Sequence, residues 1–422
     1  MPRSLDDWLV HIEHQHGQSI ALGLDRLQAV KATLEQKKSC PIILVAGTNG
    51  KGSTCAMLER ILLCAGYRVG LYTSPHLLRY NERVRIQGRA ANDDSLCAAF
   101  EKVEMARGNI PLTYFEFGTL AAWEIFAISK LEVVILEVGL GGRLDATNIY
   151  DPDCTVVTGV DLDHMDFLGP DRESIGFEKA GIFRAGVPAI CADPAPPRSL
   201  LAHAETIDVP LQVIGRDFGY LRQEQQWQFW GPQGKRSGLA HPALRGRNQL
   251  QNAAGVLAAL DSVRQVLPVA MQDIRRGLLE MELAGRFQVL PGRPTVVLDV
   301  AHNPQSAAAL ADNLGNMAFH PETWAVFGML ADKDIPAVIQ AIKGRITRWL
   351  PCSLTGPRAA TAETLRDYLW AGAVTGDVPV FANPAEALAY AQGQAGENDR
   401  IVVFGSFLTV ADALRALHRD VQ

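Results

Sequence analysis

The sequence predicts an α/β chain of two domains, the first built on a phosphate-binding loop and the second doubly wound. Three observations carry this. The stretch I-I-L-V-A-G-T-N-G-K-G-S-T (42–54) joins a buried-strand pattern to a glycine-rich turn and then to a helix. Strand and helix patterns alternate again from Thr295 to His418. The length, 422 residues, exceeds what one core ordinarily serves, and Gly285, Pro291, Gly292 and Pro294 cluster where the alternation restarts. The boundaries read as 1–284 for the first domain, 285–294 for a linker and 295–422 for the second.

Composition narrows the classes. Apolar content of 48% with 20% charged residues describes a soluble protein, and a net charge of −6 argues against nucleic-acid binding. The seven cysteines (40, 55, 64, 97, 154, 191, 352) include no C-x-x-C pair, which points to a reducing compartment and away from a zinc or disulfide framework. Met1–Val10 carries Asp6 and Asp7 and lacks the apolar core of a signal peptide. No apolar run approaches the roughly 20 residues of a membrane span. The expectation is a cytoplasmic monomer with no membrane or nucleic-acid partner.

Taken in order, residues 4–37 read as helix, loop, helix. The loop, His16 to Leu27, reads either as a binding loop or as one packed on the core. Next comes the phosphate loop: Gly47, Thr48, Asn49, Gly50, Lys51, Gly52, Ser53 and Thr54, with a helix expected over Ser53–Ala65. Glycines let backbone N–H groups point inward, the helix start adds positive potential, and Lys51 reaches outer phosphates. The loop departs from the common P-loop pattern, which would need glycine at Val45 and a hydroxyl at Gly52.

A strand over Arg68–Tyr72 runs into Thr73, Ser74 and Pro75, at a sheet's carboxyl edge, where α/β proteins bind ligands. Thr113–Thr119 begins a helix to about Ser129. Val133–Val138 reads as a central parallel strand, and Glu137 inside it needs a partner or a metal. Past the strand Thr155–Gly159, one histidine (His164) lies among Asp161, Asp163 and Asp166: a cation site or a solvated acidic turn. From its residues alone, Lys179 reads as an exposed helix lysine. Residues 208–240 read as short strands and turns, and Leu250–Val266 as a helix on which Asn252 either faces a nucleotide or caps locally.

In the second domain, strands are expected at Thr295–Asp299, Trp324–Gly328, Val378–Phe381 and Ile401–Gly405. Helices are expected at Pro336–Lys343, Ala362–Trp370, Pro384–Gln394 and Leu408–His418, with Asn303-Pro304 opening another. Asp299, His302 and Ser406 all follow strands, on the carboxyl edge, as ligand contacts or as caps.

The ordered motifs V-A-G-T-N-G-K-G-S-T (45–54), Y-T-S-P-H-L (72–77), Y-N-E-R-V-R-I (80–86), L-E-V-G-L-G-G-R-L-D-A-T-N (136–148), L-D-H (162–164), E-K-A-G-I-F-R (178–184), G-R-F-Q (285–288), D-V-A-H-N-P (299–304) and G-S-F (405–407) span nearly the whole chain. Together they resemble the folylpolyglutamate synthase/dihydrofolate synthase family of the Mur-ligase superfamily. L-G-L-D-R-L (22–27) and T-Y-F-E-F-G-T (113–119) are similar to its bifunctional form. The resemblance implies an N-terminal P-loop ATPase domain of the Mur-ligase type and a C-terminal Rossmann-like domain, with the active site between them.

It also implies roles. Lys51 and the loop hold ATP phosphates. Ser74, Glu137, His164 and Lys179 are magnesium-linked, with Lys179 carbamylated into a carboxylate-like ligand and two magnesium ions expected. Lys51, His164 and Lys179 are the catalytic set. Asn252, Arg286 and Asp299 match nucleotide contacts, and His302 and Ser406 the glutamate site. Leu22, Leu24, Thr113, Phe115, Asp145 and Ala146 match the pterin pocket. Two departures stand out: Phe177 replaces a common arginine, and R-G-R-N-Q-L-Q-N (245–252) alters the approach to Asn252.

The implied reaction is ATP-dependent ligation of L-glutamate to dihydropteroate and to reduced folates through an acyl phosphate. The competing readings are a monofunctional folylpolyglutamate synthase, a cell-wall Mur ligase using a UDP-linked substrate, and a nucleotide-binding module without chemistry.

Overall fold

The computed structural model describes residues 4–17, 21–244, 246 and 248–417. Residues 18–20 of the expected binding loop, and Arg245 and Arg247, lie outside the described residues. The chain divides into two compact units: Met1–His76, Tyr80–Ala243 and Leu250–Met281 form the first, and Leu77–Arg79, Leu244–Gln249 and Glu282–Gln422 the second.

The first unit is organised on eight strands: β1 (Ile42–Ala46), β2 (Val69–Tyr72), β3 (Val84–Ile86), β4 (Arg89–Ala90), β5 (Val133–Glu137), β6 (Cys154–Val157), β7 (Ala189–Cys191) and β8 (Leu211–Val213). Their spatial order is β4-β3-β2-β5-β1-β6-β7-β8. All pairs from β2 to β8 are parallel, while β3 and β4 add antiparallel strands at one edge. Every residue of β1, β2, β5 and β6 is buried, as continuous apolar runs in a parallel sheet require. The register aligns Val45 with Glu137, Tyr72 with Leu136 and Ala46 with Val157. The carboxyl ends of β2, β5, β1 and β6 therefore stand side by side.

An antiparallel sheet of β9 (Gly219–Arg222), β10 (Gln226–Gly231) and β11 (Gly234–Ala240) accounts for most of the strands and turns expected over 208–240. Helices without a sequence expectation, Asp93–Arg107, Arg198–Thr206 and Met271–Glu280 among them, complete the layers. The phosphate-loop helix runs Lys51–Cys64, starting two residues before the expected position, because Gly50 at φ 89 turns the chain directly into it.

The second unit holds β12 (Gln288–Leu290), β13 (Thr295–Leu298), β14 (Thr323–Phe327), β15 (Arg348–Pro351) and β16 (Arg400–Phe404), in the order β12-β13-β16-β14-β15. All pairs are parallel except β12 with β13. Two expectations are corrected. Gln288–Leu290, within the stretch read as linker, is an edge strand paired to β13. Val378–Phe381 is no strand and contributes only a bridge from Phe381 to Cys352, because Pro379 has no N–H for a ladder. The fifth strand is β15 instead. Among the described residues no helix is long and apolar enough to cross a membrane, and all seven cysteines are free.

Candidate active site

The phosphate loop is held shut by its own lysine. Lys51 Nζ donates to the carbonyls of Gly47 at 2.9 Å and Thr48 at 3.3 Å. Two hydroxyls tie the loop to the chain that follows β6, one from each side. Thr158 Oγ1 donates to Asn49 O at 2.7 Å, and Thr48 Oγ1 both donates to Asp161 O and accepts from Asp161 N, each at 3.0 Å. The glycines are required by space as well as by φ. A Cβ on Gly47 would lie 1.9 Å from Thr158 Oγ1, and one on Gly50 2.7 Å from Asn252 Oδ1. That second contact brings Asn252, from the helix Gln249–Ser262, against the loop. Gly52, Ser53 and Thr54 form the first turn of the loop helix, and the buried Thr54 hydroxyl has no hydrogen-bond partner.

Glu137 ends β5 beside this loop and is only 3% exposed. The Thr73 hydroxyl, next to Ser74 at the end of β2, donates to its carboxylate. Both strand ends that carry Ser74 and Glu137 thus meet through Thr73, a residue not singled out from the sequence. The signal was there, since Thr73 follows the same strand.

His164 sits at φ 51 after β6, its backbone N–H donating to Asp163 Oδ1 at 2.9 Å and its Nε2 3.9 Å from the same oxygen. Lys179 is not the exposed lysine its local sequence suggests. It lies on the helix Arg172–Ala180, whose inner face also buries Ile175, and it is 3% exposed. Burial, reinforced by the charge of Lys51, pushes its amine down to about 7, while Asp163 and Asp145 pull the other way. Lys51, Lys179, Asp163 and Asp145 therefore share one electrostatic neighbourhood. Among the described residues no three His, Cys, Asp or Glu side chains gather as a metal cage. The expected set takes only Glu137 and His164 from those types and adds a serine and a lysine.

The residues matched to the pterin pocket also converge. Thr113 caps the helix Tyr114–Ile128 in a reciprocal capping box with Glu116. Phe115 stacks on Tyr72 with ring centroids 5.7 Å apart, and Gly139 lies so close that a Cβ would meet the Phe115 ring at 2.7 Å. Asp145 accepts from Leu140 N at 2.8 Å and from Thr147 N at 3.0 Å, opening the short 3-10 helix Ala146–Ile149. Burial raises the Asp145 carboxyl against those hydrogen bonds. Leu24 packs partly on the same core, while Leu22 is 40% exposed.

In the second unit, Asp299 follows β13 and accepts from Phe287 N and Ala301 N, both at 2.8 Å. Burial pushes its carboxyl up to about 6 despite the opposing charge of Arg286. Arg286 lies over the Phe407 ring at 5.1 Å. His302 Nδ1 donates to Val300 O at 2.8 Å, which makes Nε2 the acceptor of the neutral ring. Ser406 caps the helix Phe407–Ala416, its Oγ accepting from Thr409 N at 3.0 Å and lying 2.7 Å from Thr409 Oγ1. The capping reading of Ser406 is realised.

Residues 45–260 match the Mur ligase middle domain, and residues 285–407 the Mur ligase glutamate ligase domain. The chain is 44% identical over 414 residues to the dihydrofolate synthase/folylpolyglutamate synthase of Escherichia coli (strain K12), covering 98% of this chain and 95% of that protein. Among solved structures it superposes on E. coli FolC in complex with DHPP and ADP with a TM-score of 0.94 at 44% identity, covering 99% and 98% of the two chains. A bifunctional folylpolyglutamate synthase/dihydrofolate synthase with Mn, AMPPNP and L-glutamate bound gives 0.91 at 43%, covering 99% and 98%.

Proposed function

The chain belongs to the dihydrofolate synthase/folylpolyglutamate synthase family of Mur ligases, and from that premise we propose how its own residues carry the reaction. It is an ATP-dependent amide ligase. It joins L-glutamate to dihydropteroate, forming dihydrofolate, and to the glutamate tail of reduced folates. The observation that carries the reading is the alignment of four strand ends: the loop lysine and a buried glutamate share one edge of a single sheet, and a buried helix lysine feels the charge of the loop lysine.

We assign ATP-phosphate and pterin handling to residues 1–284 and glutamate handling to 295–422, with Arg286 and Asp299, outside the first range, as further nucleotide contacts. Gly47 to Thr54 cradle the phosphates, with Asn252, Arg286 and Asp299 on the nucleotide. Leu22, Leu24, Thr113, Phe115, Asp145 and Ala146 hold the pterin. A divalent cation fits the donors present: a buried carboxylate at Glu137, and at the loop a buried Thr54 hydroxyl without a hydrogen-bond partner. Ser74, Glu137, His164 and a carbamylated Lys179 would hold two magnesium ions, which supply charge neutralisation on the transferred phosphoryl group. The compartment is cytoplasmic and the protein a monomer in this reading, which the scattered free cysteines support for the compartment.

The steps follow from this placement. A carboxylate oxygen of the substrate bonds to the γ-phosphorus as the β–γ bridging bond breaks, giving an acyl phosphate and ADP. Lys51 stabilises the charge that moves. The glutamate amine, as its neutral form, then bonds to the acyl carbon, the carbon–oxygen bond to phosphate breaks, and the surplus amine proton leaves with the phosphate or to solvent. His302 and Ser406 are assigned to the incoming glutamate. Ser406 contributes through its cap, which presents a helix N-terminus to a carboxylate.

The purified protein is expected to release ADP and form dihydrofolate from ATP, magnesium, dihydropteroate and L-glutamate, and to release ADP with tetrahydrofolate as well. Turnover with tetrahydrofolate alone would leave a monofunctional folylpolyglutamate synthase. Turnover only with a UDP-linked acceptor would overturn the assignment.

Asp299 adds a pH signature. Its ionised form is the better acceptor for a ribose hydroxyl, and that form is lost as pH falls through about 6. The KM for ATP is expected to rise about tenfold from pH 7 to pH 5, where roughly a tenth of such a group stays ionised. In Asp299→Asn that rise should flatten. An unchanged inflection in the variant would remove Asp299 from nucleotide binding.

A further inference from the structure

The two sequence motifs that mark the bifunctional form meet in one ion pair. Arg26, from the first, is bidentate on Glu116, from the second: Nε to Oε2 at 3.0 Å and a terminal nitrogen to Oε1 at 2.8 Å. The same guanidinium donates to the carbonyl of Ala21, at the start of the described loop. Glu116 is 4% exposed, and its Oε2 also accepts from Thr113 N at 2.8 Å and Thr113 Oγ1 at 3.0 Å. One carboxylate therefore ties the loop at 21–26 to the helix start that carries Thr113 and Phe115. The helix Asp25–Thr33 beneath the loop is itself anchored by Leu27 and Val30, both fully buried.

Helix stability does not explain this arginine. Arg26 lies in the first turn of its helix, where a cation opposes the macrodipole, and that helix start has no side-chain cap. Glu116, by contrast, sits where an acid is favoured and completes a capping box. The cation is placed for its partner 90 residues away. A bidentate pair fixes orientation as well as distance.

We propose that Arg26 is a positioning residue for the acceptor substrate: through Glu116 it holds the loop bearing Leu22 and Leu24 against Thr113 and Phe115, and so sets affinity for the pterin and not for ATP. This rests on the dihydropteroate reading above. Arg26 touches no reacting atom.

The test compares Arg26→Met and Glu116→Gln with the wild type. Glutamine keeps one oxygen for the cap and removes the charge, so Glu116→Gln should still fold, with a lower Tm because the arginine loses its counter-charge. Both variants are expected to raise the KM for dihydropteroate tenfold or more. The KM for ATP should stay within about twofold, and kcat at saturating dihydropteroate should be largely retained. Arg26→Lys, a single-pronged cation, should fall between. A dihydropteroate KM within twofold of wild type in both variants would overturn the proposal. So would a parallel rise in the KM for ATP, the mark of a merely structural pair. Wild-type turnover with dihydropteroate is the control: if the wild type fails, the functional reading falls and not the clasp.

Discussion

Lys51→Met is expected to lower kcat for dihydrofolate formation by two to three orders of magnitude while leaving the fold intact. Removal of one preorganised group aimed at developing charge typically costs about 10²–10³ in rate. The structure explains why Lys51 is preorganised. Its ammonium already bonds the Gly47 and Thr48 carbonyls, so it is held inside the loop before any phosphate arrives. Methionine keeps the length of the stem and deletes the charge. The two lost bonds are worth about 0.5–1.5 kcal/mol each, an upper range for a half-buried group, so Tm should drop by only a few degrees. The split between a small stability loss and a large rate loss is the diagnostic. Single-turnover formation of ADP should slow as much as kcat. A Lys51→Met rate within tenfold of wild type would mean that the phosphoryl group is stabilised elsewhere.

Residues bound to a strand end were legible in the sequence, because a continuous apolar run announces a parallel strand and its carboxyl end announces a ligand edge. That reasoning found Ser74, Glu137, Asp299 and His302 at such ends, and the sheet order now places the ends of β2 and β5 next to each other. The same rule covers Thr73, the first residue past β2. Lys179 was misread from its residues because a lone lysine says nothing about which helix face it occupies. The i, i+4 spacing to the buried Ile175 was the available signal. The Arg26–Glu116 pair had no local signal at all, since nothing in either motif states that the other lies across from it. Val378–Phe381 looked like a strand by its apolar residues, and Pro379 should have demoted it.

Lys179→Ala is expected to lose at least two orders of magnitude in activity, and a small carboxylate such as acetate or propionate should restore part of it. An ordinary lysine is neutral in roughly one molecule in three thousand at pH 7, and a neutral amine is what adds carbon dioxide. With its amine pushed down to about 7, Lys179 is neutral in a large fraction of molecules. Addition forms a nitrogen–carbon bond, releases a proton and leaves an anion. The electrostatics favour that outcome. Lys51 disfavours a second cation at Lys179, and a carbamate there would convert that repulsion into attraction. The stability sign agrees. Between about 7 and 10.5 the unfolded chain binds more protons at this lysine than the folded one, so its buried charge is a penalty at low pH that fades as pH rises. Intact mass should show the added carbon dioxide in the wild type and not in Lys179→Ala. Exhaustive removal of dissolved carbon dioxide should slow the wild type, with bicarbonate reversing the loss. A wild type indifferent to carbon dioxide, together with a Lys179→Ala variant near full activity, would leave the buried amine without its metal-site role. The lysine would then be only a costly cation beside another one, and a site under that strain has every physical reason to neutralise it.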